Sequence, residues 1–226
     1  MKKARLQQHH WLWVTEEWDT LQPKTETTLR LMDEAERLGV KNFWTFHRSI
    51  ALQNSQPVVQ AHVMSAAQHG KSDTNLTLAA PSDFNLIHYR VEPPVDHAYW
   101  HPLQILCLDE KANVLNPPQA LMQMNEKFHG SRIKTLMPPT LVSSRPEFIK
   151  KFGIQNKVTV LKPLDQAMSR GVELLKWNST QKTNDNLKKI SKMSQKFRQP
   201  VLLQKYLPGI KKGETRLLFC FGKLIG

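Results

Sequence analysis

The segment Trp11-Leu-Trp-Val14 is a short apolar run typical of a buried β-strand, and it opens the pattern that determines the fold class. Residues 24–38 follow with apolar side chains at helical spacing and end before Gly39, a common helix stop. Residues 40–46 form a second strand-like run. A strand, a crossover of helical length and another strand predict a parallel pair in an α/β sheet.

The next 50 residues extend this sheet and end in a proline loop. Residues 57–67 and 84–89 have the pattern of strands, and the polar segment 69–75 is typical of a turn. The loop reads Arg90-Val-Glu-Pro-Pro-Val-Asp96. Its prolines remove backbone donors and restrict the residue before them, so we expect a rigid loop at a strand end. Ligands of open α/β sheets bind at such strand ends.

The remaining residues alternate between helical and strand patterns, as expected for an α/β protein. A helix that starts at Pro117-Pro118 is consistent with the preference of proline for the first helical turn. The predicted elements are, in chain order, a helix at 99–108, a strand at 114–115, a helix at 119–128, strands at 158–161 and 172–175, a basic helix at 187–197, and strands at 201–204 and 217–221.

Composition limits the classes of protein to which the chain can belong. The 226 residues are 40% hydrophobic, and no apolar run approaches the length of a membrane span, so we expect a cytoplasmic globular protein without a membrane partner. Cys107 and Cys220 lie in apolar runs without a second ligand nearby, which favours buried thiols over a metal site. The net charge of +13 fits nucleic acid or small anionic substrates, but no nucleic-acid recognition motif is present.

Four blocks of sequence follow one another in a characteristic order. They are Glu92-Pro-Pro-Val-Asp96, Asn116-Pro-Pro-Gln-Ala-Leu-Met-Gln-Met-Asn-Glu-Lys-Phe128, Val160-Leu-Lys-Pro-Leu-Asp165 and Gln204-Lys-Tyr-Leu-Pro-Gly-Ile-Lys-Lys-Gly-Glu-Thr-Arg216. Together these blocks resemble the prokaryotic type of glutathione synthetase, an ATP-grasp carboxylate-amine ligase. The resemblance implies an α/β fold in which a pre-ATP-grasp, Rossmann-like domain at 1–115 precedes the lid and partial core of an ATP-grasp domain at 116–226.

The resemblance also implies a reaction. Members of this family use ATP to phosphorylate the terminal carboxylate of γ-glutamylcysteine, and the amine of glycine then attacks the acyl phosphate. The nucleotide is held by cationic side chains, backbone N–H groups and Mg²⁺. Lys127 and Lys162 match the two family lysines that contact the ATP phosphates. A lysine suits that task because it is a mobile point charge.

The last block matches the strand along which the adenine base lies. By resemblance, Gln204, Lys205, Tyr206 and Leu207 bind the nucleotide and Arg216 meets the substrate or a phosphate. The loop at 90–96 corresponds to a segment close to the dipeptide. Family members commonly assemble into tetramers, which makes a homo-oligomer compatible with the resemblance.

Two departures from the family pattern bear on activity. The glycine-rich loop that covers the phosphates is here Gln166-Ala-Met-Ser-Arg170, with one glycine at Gly171, and side chains obstruct the close backbone approach that glycine allows. The family's Mg²⁺ ligands lie beyond the position that matches Gly226, so no metal ligand is assigned. We therefore expect this chain alone to be inactive in the full ligation.

Several other interpretations of the same residues remain open. The chain can be a degenerate homologue that binds a ligand or partner without catalysis, or a ligase for another carboxylate, and a nucleic-acid partner is not expected. His97 and His101, four apart on a predicted helix with Asp96 before them, fit a metal site less well than a structural role. The basic helix fits a solvated face, and four tryptophans fit core and rim positions rather than a binding cage: Trp11, Trp13, Trp18 and Trp44.

Overall fold

A computed structural model of the chain describes residues 9–64 and 76–226. These residues form two compact units, which divide between Asn125 and Glu126, C-terminal to the boundary expected at residue 115. The predicted turn at 69–75 and the last residues of the strand predicted at 57–67 lie outside the described residues.

The first unit is built on a mixed sheet whose order is β3-β4-β2-β1-β6-β7, with β5 paired to β4. Strand β1 pairs in parallel with β2 and β6, and β6 with β7, so the predicted parallel sheet is confirmed. Strand β4 adds antiparallel pairs at one edge. The described elements are β1 (His10–Thr15), α1 (Thr27–Arg37), β2 (Lys41–Phe46), β3 (Ile50–Gln53), β4 (Gln56–Val63), β5 (Leu76–Ala79), β6 (Leu86–Tyr89), α2 (His97–Leu106), β7 (Val114–Leu115) and α3 (Pro118–Gln123).

Alternation along β1 places its side chains in two separate cores. Leu12 and Val14 pack with the residues of α2 on one face of the sheet. Trp13 is completely buried on the other face with Met32 of α1. Trp18 and Trp44 are buried in the same cluster and Trp11 packs against it, which confirms that the tryptophans are core residues.

One half-buried histidine packs against this tryptophan core. The His88 ring stacks on the Trp13 ring with their centroids 3.9 Å apart, and its Nε2 has no hydrogen-bond partner among the described residues. Removal from water, with a smaller effect of the Arg90 charge, lowers the pKa of His88 to about 4. The folded protein therefore favours the neutral ring.

The start of α1 and the end of α3 differ from the bounds predicted from the sequence. Helix α1 begins at Thr27 because the Glu26 carboxylate accepts a hydrogen bond from the Thr28 backbone N–H. Helix α3 ends at Gln123 and not at 128, since Met124 is already extended. Lys127 therefore lies in a turn of the second unit rather than on a helix.

The second unit contains an antiparallel four-stranded sheet in the order β10-β9-β11-β8 and a short terminal hairpin. Buried side chains of α4 and α5, including Ile149 and Ile190, share one core with Leu161 and Leu203 of the sheet. The described elements are β8 (Thr140–Ser143), α4 (Pro146–Asn156), β9 (Val158–Lys162), β10 (Glu173–Lys176), α5 (Thr180–Met193), β11 (Val201–Lys205), β12 (Phe219–Cys220) and β13 (Lys223–Leu224).

Helix α5 starts seven residues earlier than the apolar pattern indicated. The Ser179 hydroxyl accepts a hydrogen bond from the Lys182 backbone N–H and caps the helix. The first inward positions are polar, because Thr183 donates to the Ser179 carbonyl and Asn186 to the Lys176 carbonyl. Hydrogen-bonded polar residues thus replace apolar ones in the first two turns.

Strands β12 and β13 pair as an antiparallel hairpin, and β12 lies within the strand predicted at 217–221. Phe221 at its turn is fully exposed. Cys220 is also exposed, so its prediction as a buried thiol is wrong, whereas Cys107 is half-buried and its burial raises the pKa of the thiol. Within residues 9–64 and 76–226, no helix is both long and apolar enough to cross a membrane.

Gly153 allows α4 to approach Trp177, and this contact generates a prediction. A Cβ atom at Gly153 would lie 2.3 Å from the indole, so Gly153→Ala must displace the ring or the helix. We expect a loss of about 1–3 kcal/mol in the free energy of unfolding, measured by urea titration. Gly209→Ala is the control, because no atom lies within 4 Å of its added methyl group. A loss as small as that of the control would contradict the packing described.

Because the pKa of His88 is lowered in the folded protein, we expect the free energy of unfolding to decrease in mild acid. The ordinary pKa is 6.5 and the folded value is about 4, so the contribution of neutral His88 is complete above pH 6.5 and falls as the pH decreases towards 4. His88→Phe keeps a ring on Trp13 but cannot take up a proton. Between pH 7 and pH 5 we expect wild type to lose roughly 1–2 kcal/mol more unfolding free energy than His88→Phe. Parallel curves for the two proteins would refute this, and the exposed His101→Gln serves as the control for losing one histidine.

Candidate functional site

The sheet of the second unit presents polar side chains on the face opposite its helices. Leu161 and Leu203 point into the helix-covered core, so their neighbours Lys162 and Gln204 lie on the other face. Lys162 pairs with Leu202 across β9 and β11, and Gln204 pairs with Thr140 across β11 and β8. Three adjacent strands thus place three polar side chains in an oblique row on one face, since Gln204 lies opposite Val160 and Lys162 is two residues further along β9.

A chain of hydrogen bonds joins this row. Lys162 Nζ donates to Gln204 Oε1 at 3.0 Å, and Gln204 Nε2 donates to Thr140 Oγ1 at 2.9 Å. The Thr140 hydroxyl donates in turn to the Pro138 carbonyl at 2.7 Å. All three side chains are half-buried, which strengthens hydrogen bonds relative to those in bulk water.

Lys127 is the second cationic group of this region. Its side chain is 14% exposed, and its Nζ lies 3.0 Å from the Glu126 carboxylate and also donates to the Gln166 carbonyl. Burial lowers the pKa of Lys162, and the Lys127 charge lowers it further. The structure therefore brings together the two lysines that were singled out separately in the sequence.

The loop that follows β9 has a backbone suited to glycine. Met168 and Ser169 have φ values of 51° and 60°, in the left-handed region, as does Gly171 at 70°. Side chains other than glycine pay roughly 1–2 kcal/mol per residue in that region. In the loop at 166–171, Met168 and Ser169 thus adopt a backbone conformation that glycine adopts more easily.

The segment after β11 is fixed by its backbone. The Lys205 N–H donates to the Pro139 carbonyl at 2.9 Å, and the Tyr206 N–H donates to the Val158 carbonyl at 3.1 Å. Lys205 and Leu207 have exposed side chains. The sheet therefore holds the backbone at this end on both sides, while the side chains of Lys205 and Leu207 stay accessible.

Arg216 does not join this group in the structure. It is exposed, in a segment without regular secondary structure, and no described residue forms a hydrogen bond or an ion pair with its guanidinium. Its assignment to the site rests on the sequence alone.

The first unit has its own group of polar residues at the carboxyl ends of its parallel strands. Arg90 follows β6 and donates from Nε to the Thr28 hydroxyl at 2.7 Å, at the start of α1. After the neighbouring strands, His47 Nδ1 lies 3.5 Å from the Glu16 carboxylate. Strand β1 lies between β2 and β6, so the chain order reverses here, which is where open α/β sheets bind ligands.

Asp96 has a structural role that explains its position before the two histidines. Its carboxylate caps α2 by accepting from the Ala98 and Tyr99 backbone N–H groups. The rings of His97 and His101 stack with centroids 5.2 Å apart. In the described part of the chain, no three His, Cys, Asp or Glu side chains form a group that could hold a metal ion.

The positive charge is concentrated in the second unit. Residues 126–226 contain 21 Lys and Arg but six Asp and Glu, whereas residues 1–125 contain 11 and 13. Such an excess favours anionic ligands in the second unit.

Sequence reasoning missed Thr140, Gln166 and Glu126 as neighbours of the two lysines. Thr140 lies in a strand that the sequence did not predict, and its role depends on the register of β8 with β11. Glu126 directly precedes Lys127, and Gln166 follows the Lys162 block by one residue. Proximity in the sequence was thus the only indication that Glu126 and Gln166 lie near the lysines.

Comparison with known proteins covers both units. Residues 10–122 match the family model described as "Prokaryotic glutathione synthetase, N-terminal domain", and residues 126–226 match "Prokaryotic glutathione synthetase, ATP-grasp domain". Among curated relatives, glutathione synthetase of Parasynechococcus marenigrum is 30% identical, with 95% of this chain and 69% of that protein aligned. The Pseudomonas aeruginosa glutathione synthetase is 31% identical over 62% of this chain and 44% of its own length.

Solved structures support the same fold at much lower identity. D-cycloserine synthetase DcsG superposes with a TM-score of 0.58 at 12% identity, over 88% of this chain and 60% of that one. The RimK domain ATP-grasp protein from Sphaerobacter thermophilus gives 0.54 at 16% identity, over 88% and 64%. The chain thus spans less than two thirds of these structures. Both units match the family models in order, and the chain belongs to the prokaryotic glutathione synthetase family.

Proposed function

We propose that the second unit binds ATP, with its phosphates at Lys127 and Lys162 and its adenine along Gln204, Lys205, Tyr206 and Leu207. The observation that carries this proposal is a pair of half-buried lysines whose charges interact, Lys162 on the sheet face and Lys127 in the turn at 126–128. Two cations held close together repel each other, and a polyanion between them offsets that repulsion. Gln204 and Lys205 end β11, the strand that pairs with the strand of Lys162, so one nucleotide can contact both features.

The reaction proposed for the protein is the ATP-dependent joining of γ-glutamylcysteine and glycine. Lys127 and Lys162 would hold the transferred phosphate, and Arg216 would meet the substrate carboxylate or the phosphate. When bound, Mg²⁺ neutralises phosphate charge in such reactions, but no group of described carboxylates fits it.

A second candidate function is ligand binding without catalysis. The observation that favours it is the loop at 166–171, where Met168 and Ser169 occupy left-handed backbone that the family fills with glycine. A loop under this strain closes less readily over phosphates. A ligase for another carboxylate belongs to the same class as the main proposal. A cytoplasmic location and a homo-oligomeric assembly remain predictions.

The first test is calorimetric titration of the full chain with a non-hydrolysable ATP analogue. Lys162→Met should weaken binding by about 10–100-fold, because a charge-assisted hydrogen bond contributes roughly 1.5–3 kcal/mol. Lys182→Met is the matched control, since Lys182 is exposed on α5, and it should change affinity less than twofold. Equal affinity of wild type and Lys162→Met would refute the proposed phosphate site.

Phosphate release then separates the two candidate functions. Release from ATP that depends on both γ-glutamylcysteine and glycine would support the ligase and exclude the non-catalytic alternative. Binding of the analogue without such release would favour the alternative for this chain.

The loop supplies a further prediction. Replacing Met168 and Ser169 together by glycine removes two strained side chains, so we expect several-fold tighter binding of the same analogue. Ala167→Gly is the matched control, because Ala167 lies in the same loop without a positive φ. An equal gain in the control would attribute the effect to flexibility, and no gain in the double variant would count against the strain argument.

A further inference from the structure

The hydrogen bonds among Lys162, Gln204 and Thr140 can run in one direction only. The Pro138 carbonyl is an acceptor, so the single hydroxyl proton of Thr140 is committed to it. Thr140 Oγ1 must then accept from Gln204, which turns the Gln204 amide nitrogen towards Thr140 and its oxygen towards Lys162. The reversed amide would set its NH₂ group against the Lys162 ammonium, donor against donor. The chemistry of the partners therefore assigns the amide orientation.

This arrangement gives Lys162 a neutral acceptor. A carboxylate at the same place would also orient the ammonium, but it would cancel most of its charge. The Gln204 oxygen holds the group at 3.0 Å and leaves a full positive charge for an anionic ligand. The orientation of the Gln204 amide is fixed by its hydrogen bond to Thr140, whose hydroxyl is in turn fixed by the Pro138 carbonyl.

We propose that Thr140 and Gln204 are positioning residues that direct the Lys162 ammonium towards the nucleotide phosphates. This role rests on the proposed ATP site, and it gives Gln204 a function beyond contact with the base. Because Gln204 begins the segment proposed to lie along the adenine, the same residue links recognition of the base to the placement of the phosphate lysine.

The first readout needs no nucleotide. The pH dependence of Lys162 acylation by acetic anhydride, followed by mass spectrometry, reports the pKa of this amine in the full chain. Gln204→Glu is nearly isosteric and creates an ion pair, so it should raise that pKa by about one unit and slow acylation about tenfold below the pKa. Thr140→Val frees the amide to turn, so acylation should be several-fold faster. Thr140→Ser keeps the hydroxyl and should stay within twofold of wild type.

The second readout is affinity for the non-hydrolysable ATP analogue. Gln204→Glu and Thr140→Val should each weaken binding about 3–30-fold, and Thr140→Ser should restore most of the affinity. Thr183→Val, which removes a different threonine hydroxyl bonded to a backbone carbonyl, is the control and should leave affinity unchanged.

The two readouts distinguish failure of the positioning role from failure of the ATP site. An unchanged Lys162 acylation profile in Gln204→Glu, or equal effects of Thr140→Ser and Thr140→Val, would overturn the positioning role. If the acylation profiles shift as expected but wild type binds no analogue, the hydrogen-bonded chain stands and the proposed ATP site fails.

Discussion

The pairing of β11 with β9 on one side and β8 on the other is the constraint on which the candidate site depends. Its register sets Lys162 opposite Leu202 and Gln204 opposite Thr140. A slip of one residue would turn Gln204 into the helix-covered core and bring Leu203 to the polar face. The buried core that includes Leu203 thus holds the polar row on the other face in place.

The second unit brings two positive charges close together, Lys162 of the sheet and Lys127 of the turn at 126–128. Lys162 is held by an amide, and Lys127 shares its ammonium between a backbone carbonyl and Glu126, whose side chain is largely exposed. Burial and mutual repulsion both oppose this arrangement in the absence of an anion. Sites that keep such groups at a cost in stability are commonly functional, which is why the lysine pair carries the proposal.

The sequence predicted the elements whose apolar pattern matches their structure. Strand β1, with Leu12 and Val14 on one face and Trp13 on the other, is one such element. Helix α4 was missed because Phe148 and Ile154 are exposed while Gly153 is buried, so apolar spacing does not mark its inner face. The start of α5 was missed because its inward side chains are polar and satisfied by hydrogen bonds. The four family blocks located the lysines, but Thr140 required the register of a strand that no pattern indicated.

The most direct test of the account is photolabelling of the full chain with 8-azido-ATP, followed by mapping of the modified peptide. The account predicts labelling within residues 204–207 that excess ATP suppresses and that Lys162→Met reduces. Labelling that excess ATP suppresses but that falls in residues 10–122 would contradict the assignment of the nucleotide to the second unit.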